Sequence, residues 1–119
     1  MDINIQEDYI RKAKLIRVID GDTFEVEIDL GFSILIRRKV RLFGVDCPEM
    51  KGPHKDKGLE AKDLSSKFFI ENHGEFLLLS HSDKIDNFGR ILAEVWDSSG
   101  KKSLADILLN RKLAEPFIK

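Results

Sequence analysis

Acidic side chains stand at the ends of several predicted strands. Residues 20–22 read Asp-Gly-Asp between two β-rich runs, and Asp46 and Glu49 follow a third run. Ca²⁺ and Mg²⁺ bind carboxylate and carbonyl oxygens, so a hairpin turn that met this strand end would suit a hard cation. The same residues are also common turn formers. Spacing alone therefore favours an ordinary turn and leaves a metal site as the alternative.

Two arginines stand near these acids or at the start of a strand. Arg41 lies in the third predicted strand, five residues before Asp46, and Arg90 follows Gly89 where a later strand begins. A guanidinium group stays charged at neutral pH and can donate two parallel hydrogen bonds to a phosphate. A surface salt bridge is the usual role of an arginine in a strand. Both roles stay open from the sequence.

Charge is unevenly distributed along the chain. The 119 residues hold 20 Lys and Arg against 21 Asp and Glu, which gives a net charge of −1. Residues 37–62 hold eight bases and four acids, and therefore carry +4. This segment suits a polyanion held beside a metal, and a solvated loop explains it equally well. With 42% hydrophobic residues and one cysteine, the composition excludes disordered, collagen-like and disulfide-rich classes.

Apolar periodicity predicts the elements that would position these residues. We expect strands at 13–19, 23–30 and 34–45, a loop at 47–57, a helix from 58 to 71, strands at 75–80 and 91–96, and a second helix capped by Ser103. In the second strand Phe24, Val26, Ile28 and Leu30 share one face, which predicts that they are buried. The order βββ-α-ββ-α is mainly β with helices (α+β) and predicts a five-stranded antiparallel OB-fold barrel.

The length predicts one domain over residues 1–119. No run approaches the roughly 20 apolar residues of a membrane span, so we expect no membrane partner. A monomer is the default expectation for the oligomeric state. The first nine residues hold acids where a signal peptide needs bases, so we expect no export signal in this chain. The compartment stays open between the cytoplasm and, if a signal has been removed, secretion.

Four motifs occur in a fixed order. They read Val-Ile-Asp-Gly-Asp-Thr at 18–23, Val-Arg-Leu-Phe-Gly-Val-Asp-Cys-Pro-Glu at 40–49, Gly-Leu-Glu-Ala at 58–61 and Phe-Gly-Arg at 88–90. No motif is decisive alone, but together they resemble the staphylococcal nuclease (thermonuclease) family. The resemblance covers about residues 13–114 and leaves 1–12 as an N-terminal extension.

The resemblance implies an OB-fold barrel that acts as a calcium-dependent nuclease. Such an enzyme hydrolyses phosphodiester bonds of DNA or RNA with little sequence specificity and leaves 3′-phosphate ends. One calcium ion would be held by the carboxylates of Asp22 and Asp46 and by the backbone carbonyl of Cys47. The nucleic acid would be the substrate and partner.

The resemblance also assigns the groups that act on the phosphate. Glu49 would position or deprotonate the attacking water. Arg41 and Arg90 would bind the phosphate and stabilise the charge that develops in the transition state. All these charged positions are filled in this sequence.

Some positions depart from the family pattern. Cys47 stands where the best-known member has threonine, a change that a backbone ligand tolerates. Asn87 and Phe88 replace a lysine and a tyrosine that contact nucleotide phosphate, so both are weak candidates for substrate binding, as is Lys51. Phe88 would still stack on a base.

Two other functions stay open. A binding module of the same family would bind nucleic acid or protein without turnover, and the missing lysine and tyrosine favour it slightly. An unrelated sugar- or peptide-binding OB domain would hold Asp22 and Asp46 far apart. The complete set of charged catalytic positions favours the nuclease over both.

Overall fold

The structure is a computed structural model that describes residues 9–117. Its strands are β1 (Tyr9–Asp20), β2 (Thr23–Asp29), β3 (Leu35–Leu42), β4 (Val45–Asp46), β5 (Glu75–Ile85), β6 (Arg90–Trp96) and β7 (Glu115–Pro116). Its helices are α1 (Lys55–Glu71) and α2 (Leu104–Asn110), and a 3₁₀ turn (Gly52–His54) precedes α1.

Five strands close into a barrel in the order β1-β2-β3-β6-β5, and β5 pairs with β1 to complete the ring. The predicted α+β class and the OB-like barrel are therefore confirmed. The expectation that every pair is antiparallel was wrong at one place, because β3 and β6 run parallel. A ring with an odd number of strands cannot close with all neighbours antiparallel.

Alternating side chains of β2 build one wall of the core. Phe24, Val26 and Ile28 are at most 3% exposed, as predicted. The ring of Phe24 meets Phe69 of α1 edge to face, with 5.0 Å between the ring centroids, a favoured geometry for aromatic pairs. Leu30, predicted on the same face, is 39% exposed because β2 ends at Asp29 and the chain then turns toward β3.

Several element boundaries differ from the predictions. β1 begins at Tyr9, which pairs with Ser80, so the strand includes part of the predicted N-terminal extension; residues 1–8 lie outside the described residues. α1 begins at Lys55, inside the predicted loop, because Pro53 favours the first turn of a helix. β5 also continues beyond its predicted end, to Ile85.

A two-stranded sheet, separate from the barrel, joins the segment after β3 to the segment after α2. β4 pairs with β7, which places Asp46 opposite Glu115, and the sequence did not predict this small sheet. Ser103 caps α2 as predicted, since its hydroxyl accepts a hydrogen bond from the Asp106 N–H at 3.1 Å. Within residues 9–117, no helix combines the length and the apolar character needed to cross a bilayer.

Candidate active site

The turn between β1 and β2 holds Asp22 in a buried position. The N–H of Asp22 donates to Asp20 Oδ1 at 3.1 Å, so Asp20 supports the turn. Asp22 itself is only 7% exposed. Its Oδ1 accepts from the Thr23 hydroxyl at 3.2 Å, and its Oδ2 accepts from the Cys47 N–H at 2.8 Å. This last bond ties the β1–β2 turn to the segment that follows β4.

Arg41, at the end of β3, joins the two acidic segments. Its Nη1 lies 3.3 Å from Asp22 Oδ2, and its Nη2 lies 3.2 Å from Asp46 Oδ1. Nη1 also donates to the Leu42 carbonyl at 2.9 Å, and the Leu42 N–H donates to the Asp22 carbonyl at 2.8 Å. The structure thus brings Asp22, Asp46 and Arg41 together, which the sugar- or peptide-binding alternative did not predict.

The charge of Asp22 is incompletely compensated. Burial raises the pKa of Asp22 from its ordinary 3.8 to about 6, with a further contribution from Asp20. The hydrogen bond from the Cys47 N–H and the positive charge of Arg41 oppose this rise. A carboxylate that stays hard to ionise beside an arginine is one that a further cation would stabilise.

The donors available for a metal are oxygens. Within residues 9–117, no three side chains of His, Cys, Asp and Glu form a metal-binding group. Burial, followed by the charge of Asp22, raises the pKa of the Cys47 thiol to about 12, so the thiol stays protonated and is a poor ligand. What remains is two carboxylates that share one arginine, one buried and one with a side chain 60% exposed. A pair of carboxylates of which one is open to water fits a calcium ion that keeps water ligands.

A second arginine, Arg90, lines a surface cleft together with Arg41. Arg90, at the start of β6, donates from Nε to Asp86 Oδ2 at 2.9 Å, and its backbone N–H donates to Asp86 Oδ1 at 2.8 Å. Burial alone would raise the pKa of Asp86, but hydrogen bonds from the N–H groups of Arg90 and Phe88 and from the Arg90 guanidinium outweigh it and lower that pKa. The cleft holds about 440 Å³ and is lined by Arg41, Phe43, Gly44, Asp86, Arg90, Leu92 and Phe117.

The remaining predicted site residues lie on exposed loops. Glu49 follows β4 and is exposed, and the structure does not bond its carboxylate to Arg41 or Asp46. Phe88 is 80% exposed, and its ring centroid lies 5.1 Å from the guanidinium carbon of Arg90. Asn87 and Lys51 are exposed side chains, for which the structure gives no contact with the acidic residues.

The sequence predictions missed two cleft residues that contact its arginines. Asp86 holds Arg90, and the motif Asp-Asn-Phe-Gly-Arg carries a signal for it, because an aspartate often accepts N–H bonds from the residues that follow in a turn. Phe117 lies with its ring centroid 5.9 Å from the guanidinium carbon of Arg41, and its N–H donates to the Gly44 carbonyl at 2.9 Å. No local pattern indicates this contact, since it depends on the pairing of β4 with β7.

Comparison with known proteins identifies the family of this chain. The chain matches the family described as "Staphylococcal nuclease homologue" over residues 39–117, and it therefore belongs to that family. It is also similar to the thermonuclease of Staphylococcus hyicus, with 35% identity over 105 residues. That match covers 86% of this chain and 54% of the relative, so the chain spans about half of the relative's length.

Proposed function

We propose that this protein is a calcium-dependent nuclease that hydrolyses phosphodiester bonds of DNA or RNA and leaves 3′-phosphate ends. The observation that carries the proposal is the position of Arg41, which contacts Asp22 and Asp46 and lines one cleft with Arg90. Two carboxylates beside two arginines provide both a cation site and a phosphate site. Family membership supports the same chemistry.

The metal would be held by the carboxylates of Asp22 and Asp46 and by the backbone carbonyl of Cys47. When bound, calcium would offset negative charge on the phosphate oxygens. Because the Cys47 thiol is protonated, only its carbonyl is proposed as a ligand. The buried Asp22 would give the ion a fixed point, and the exposed Asp46 would leave one side open to substrate and water.

Arg41 has donors left for the phosphate. Its Nη1 is used by the Leu42 carbonyl and the Asp22 carboxylate, and one Nη2–H is used by Asp46. Among residues 9–117 the Nε–H and the second Nη2–H have no hydrogen-bond acceptor, and this edge of a guanidinium group suits two phosphate oxygens. Arg90, held by Asp86 through its own Nε, would offer its terminal nitrogens from the other side of the cleft.

In the proposed reaction Glu49 accepts a proton from the attacking water. The water oxygen forms a bond to phosphorus, and the bond from phosphorus to the 5′ oxygen breaks, which leaves the phosphate on the 3′ end. The departing 5′ oxygen takes a proton from solvent water and leaves as a hydroxyl group, and Glu49 later returns its proton to the solvent. Arg41 and Arg90 stabilise the added negative charge on the phosphoryl oxygens as it develops. The exposed carboxylate of Glu49 must come within about 3 Å of the water when substrate is bound.

A binding module is the second candidate, and the exposed ring of Phe88 beside Arg90 supports it. An aromatic ring with a neighbouring cation would bind a single strand without any turnover. Such binding would not need calcium, and it would weaken steeply with added salt.

The test is digestion of single- and double-stranded DNA and of RNA by the purified protein in calcium, in magnesium and in EDTA. We expect degradation in calcium that stops in EDTA, and a loss of roughly 10²–10⁴ in rate for Glu49→Gln, because the variant cannot accept the proton. Glu71→Gln is the matched control, since Glu71 is exposed and forms an ion pair with Lys67 at the end of α1. No digestion in any metal by folded protein would leave the binding module as the function.

A further inference from the structure

One face of α1 lies against both loops that carry the proposed site. Gly58, Ala61 and Ser65 are spaced by three and four residues and therefore share this face. All three are buried, and Ala61 and Ser65 are fully so. The face meets the β1–β2 turn, which carries Asp22, and the loop after β4, which carries Glu49.

Ser65 holds the β1–β2 turn by a buried hydrogen bond. Its hydroxyl donates to the carbonyl of Gly21 at 2.7 Å, and Gly21 immediately precedes Asp22. The turn has no freedom to retreat toward the helix. A side-chain carbon at position 21 would lie 2.8 Å from Ala61 Cβ and 3.0 Å from Cys47 Sγ, both closer than van der Waals contact.

Gly58 brings the same helix against the backbone beside Glu49. A side-chain carbon at position 58 would collide with the carbonyl oxygen of Glu49 and would lie 2.6 Å from its carbonyl carbon. The Met50 nitrogen would be only 2.9 Å away. The helix therefore contacts the Glu49 loop through backbone, with no flexible side chain between them.

We propose that Ser65 is a positioning residue for the active site, and that α1 fixes the turn of Asp22 relative to the loop of Glu49. The proposal rests on the nuclease function above. A buried carbonyl needs a donor, and the hydroxyl of Ser65 supplies it for Gly21. Without this bond the peptide before Asp22 can rotate, which shifts the carboxylate that would hold calcium. A group that orients a metal-binding residue through a hydrogen bond typically contributes roughly 10–100-fold in metal affinity or activity.

The test compares Ser65→Ala with Ser66→Ala. Ser66 is the next residue of α1, and its hydroxyl donates to the Lys62 carbonyl within the helix at 2.8 Å, so its removal leaves both loops untouched. For Ser65→Ala we expect calcium affinity, measured by titration calorimetry, and kcat on a short single-stranded DNA each to fall by about tenfold. The KM for the oligonucleotide should change little, because Arg41 and Arg90 are unaltered. Ser66→Ala should match the wild type in all three.

Amide hydrogen exchange in the metal-free protein gives a readout that does not depend on activity. The Cys47 N–H is bonded to Asp22 Oδ2, so a turn that moves should expose it. We expect faster exchange of this amide in Ser65→Ala. Ile28→Val is the control for lost stability, since Ile28 is buried at the far end of β2 and this change removes only a methyl group.

The outcomes separate the two proposals. A wild type that neither binds calcium nor cleaves DNA overturns the nuclease function. An active wild type with Ser65→Ala equal to Ser66→Ala, or equal to Ile28→Val in exchange at Cys47, overturns the positioning role. If Ser65→Ala does not fold, Ser65→Cys replaces it, since the thiol is a weaker donor of similar size. We then expect calcium affinity below that of the wild type, and wild-type affinity would overturn the proposal.

Discussion

Two aspartate–arginine pairs place their arginines on one cleft, and the environments of the two aspartates differ. Asp22 pairs with Arg41 at 3.3 Å in a buried turn, and burial raises its pKa to about 6. Asp86 pairs with Arg90 at 2.9 Å in an exposed turn, and N–H donors lower its pKa despite the opposing effect of burial. The distances are similar, so the number of donors and the access of water decide the direction.

This difference in pKa indicates that the carboxylates of Asp22 and Asp86 have different roles. The charge of Asp86 is satisfied by the backbone N–H groups of Phe88 and Arg90 and by the Arg90 guanidinium, so this residue shapes its turn and aims Arg90. The charge of Asp22 is less well satisfied, because burial outweighs the Cys47 N–H and Arg41, and a bound cation would stabilise its ionised form further. Buried carboxylates that cost folding free energy when ionised are common at functional sites. We therefore expect the two pairs to respond in opposite ways to loss of the carboxylate.

The largest effect should come from Arg41, which belongs to the under-compensated pair. Arg41→Ala removes the group that bridges Asp22 and Asp46 and donates to the phosphate, so we expect kcat to fall by about 10²–10³. Arg37→Ala is the control, since Arg37 is an exposed arginine of the same strand. Steady-state kinetics on single-stranded DNA measures both. Equal losses in the two variants would mean that Arg41 acts only through general charge.

Loss of the Asp22 carboxylate should stabilise the fold. A pKa raised from 3.8 to about 6 means that the ionised carboxylate costs about 3 kcal/mol of folding free energy. The folded state binds the proton more tightly than the unfolded state. The contribution of Asp22 to wild-type stability therefore falls as pH rises from about 4 to about 6 and is level above that. We expect Asp22→Asn to be more stable than the wild type by up to about 3 kcal/mol at pH 8 and to show no gain at pH 4.

Urea unfolding at both pH values in EDTA measures this difference. Added calcium should raise the stability of the wild type at pH 8 and leave that of Asp22→Asn unchanged, because the variant has lost a proposed ligand. A wild type that is more stable than Asp22→Asn at pH 8 without calcium would show that Arg41 and the Cys47 N–H already compensate the charge.

The proximity of Asp22, Arg41 and Asp46 could be expected from the sequence because each residue belongs to a local motif. Asp22 follows a turn, Arg41 and Asp46 share one segment, and the structure joins all three at hydrogen-bond distance. The alternation of β2 likewise predicted the burial of Phe24, Val26 and Ile28. These features depend on residues that are close together in the sequence, and periodicity and motif spacing predict features of this kind.

The features that the sequence did not predict join distant parts of the chain. The parallel pairing of β3 with β6 follows from the closure of five strands. The ring of Phe117 reaches Arg41 through the pairing of β4 with β7, and Ser65 reaches Gly21 across 44 positions of sequence. Leu30 continues the alternating pattern of β2 but lies beyond the end of the strand, so the prediction that it is buried was wrong. Such contacts depend on tertiary packing, which no local pattern specifies.

Asp86→Asn should have a smaller effect and the opposite sign in stability. The variant keeps an acceptor for the backbone N–H groups but weakens the bond to the Arg90 guanidinium. We expect a loss on the order of tenfold in kcat, the value of one charge-assisted hydrogen bond. Because the pKa of Asp86 is lowered, its carboxylate stabilises the folded state at neutral pH, and this contribution is lost as pH falls through that lowered pKa. The variant should therefore be less stable than the wild type at pH 7, as measured by urea unfolding.

Phe88→Ala should have the smallest effect, and it should appear in substrate binding. Phe88 is exposed, and its ring contacts Arg90, but Arg90 is held in place by its hydrogen bonds to Asp86, so kcat should be nearly unchanged. Stacking of one base on an aromatic ring contributes about 1 kcal/mol or more, so we expect the KM for single-stranded DNA to rise by about fivefold. Phe32→Ala is the matched control, since Phe32 is 97% exposed on the hairpin between β2 and β3. If Phe88→Ala lowered kcat and left KM unchanged, Phe88 would act by holding Arg90 in place, and the exposed pair would be as closely tied to the chemistry as the buried one.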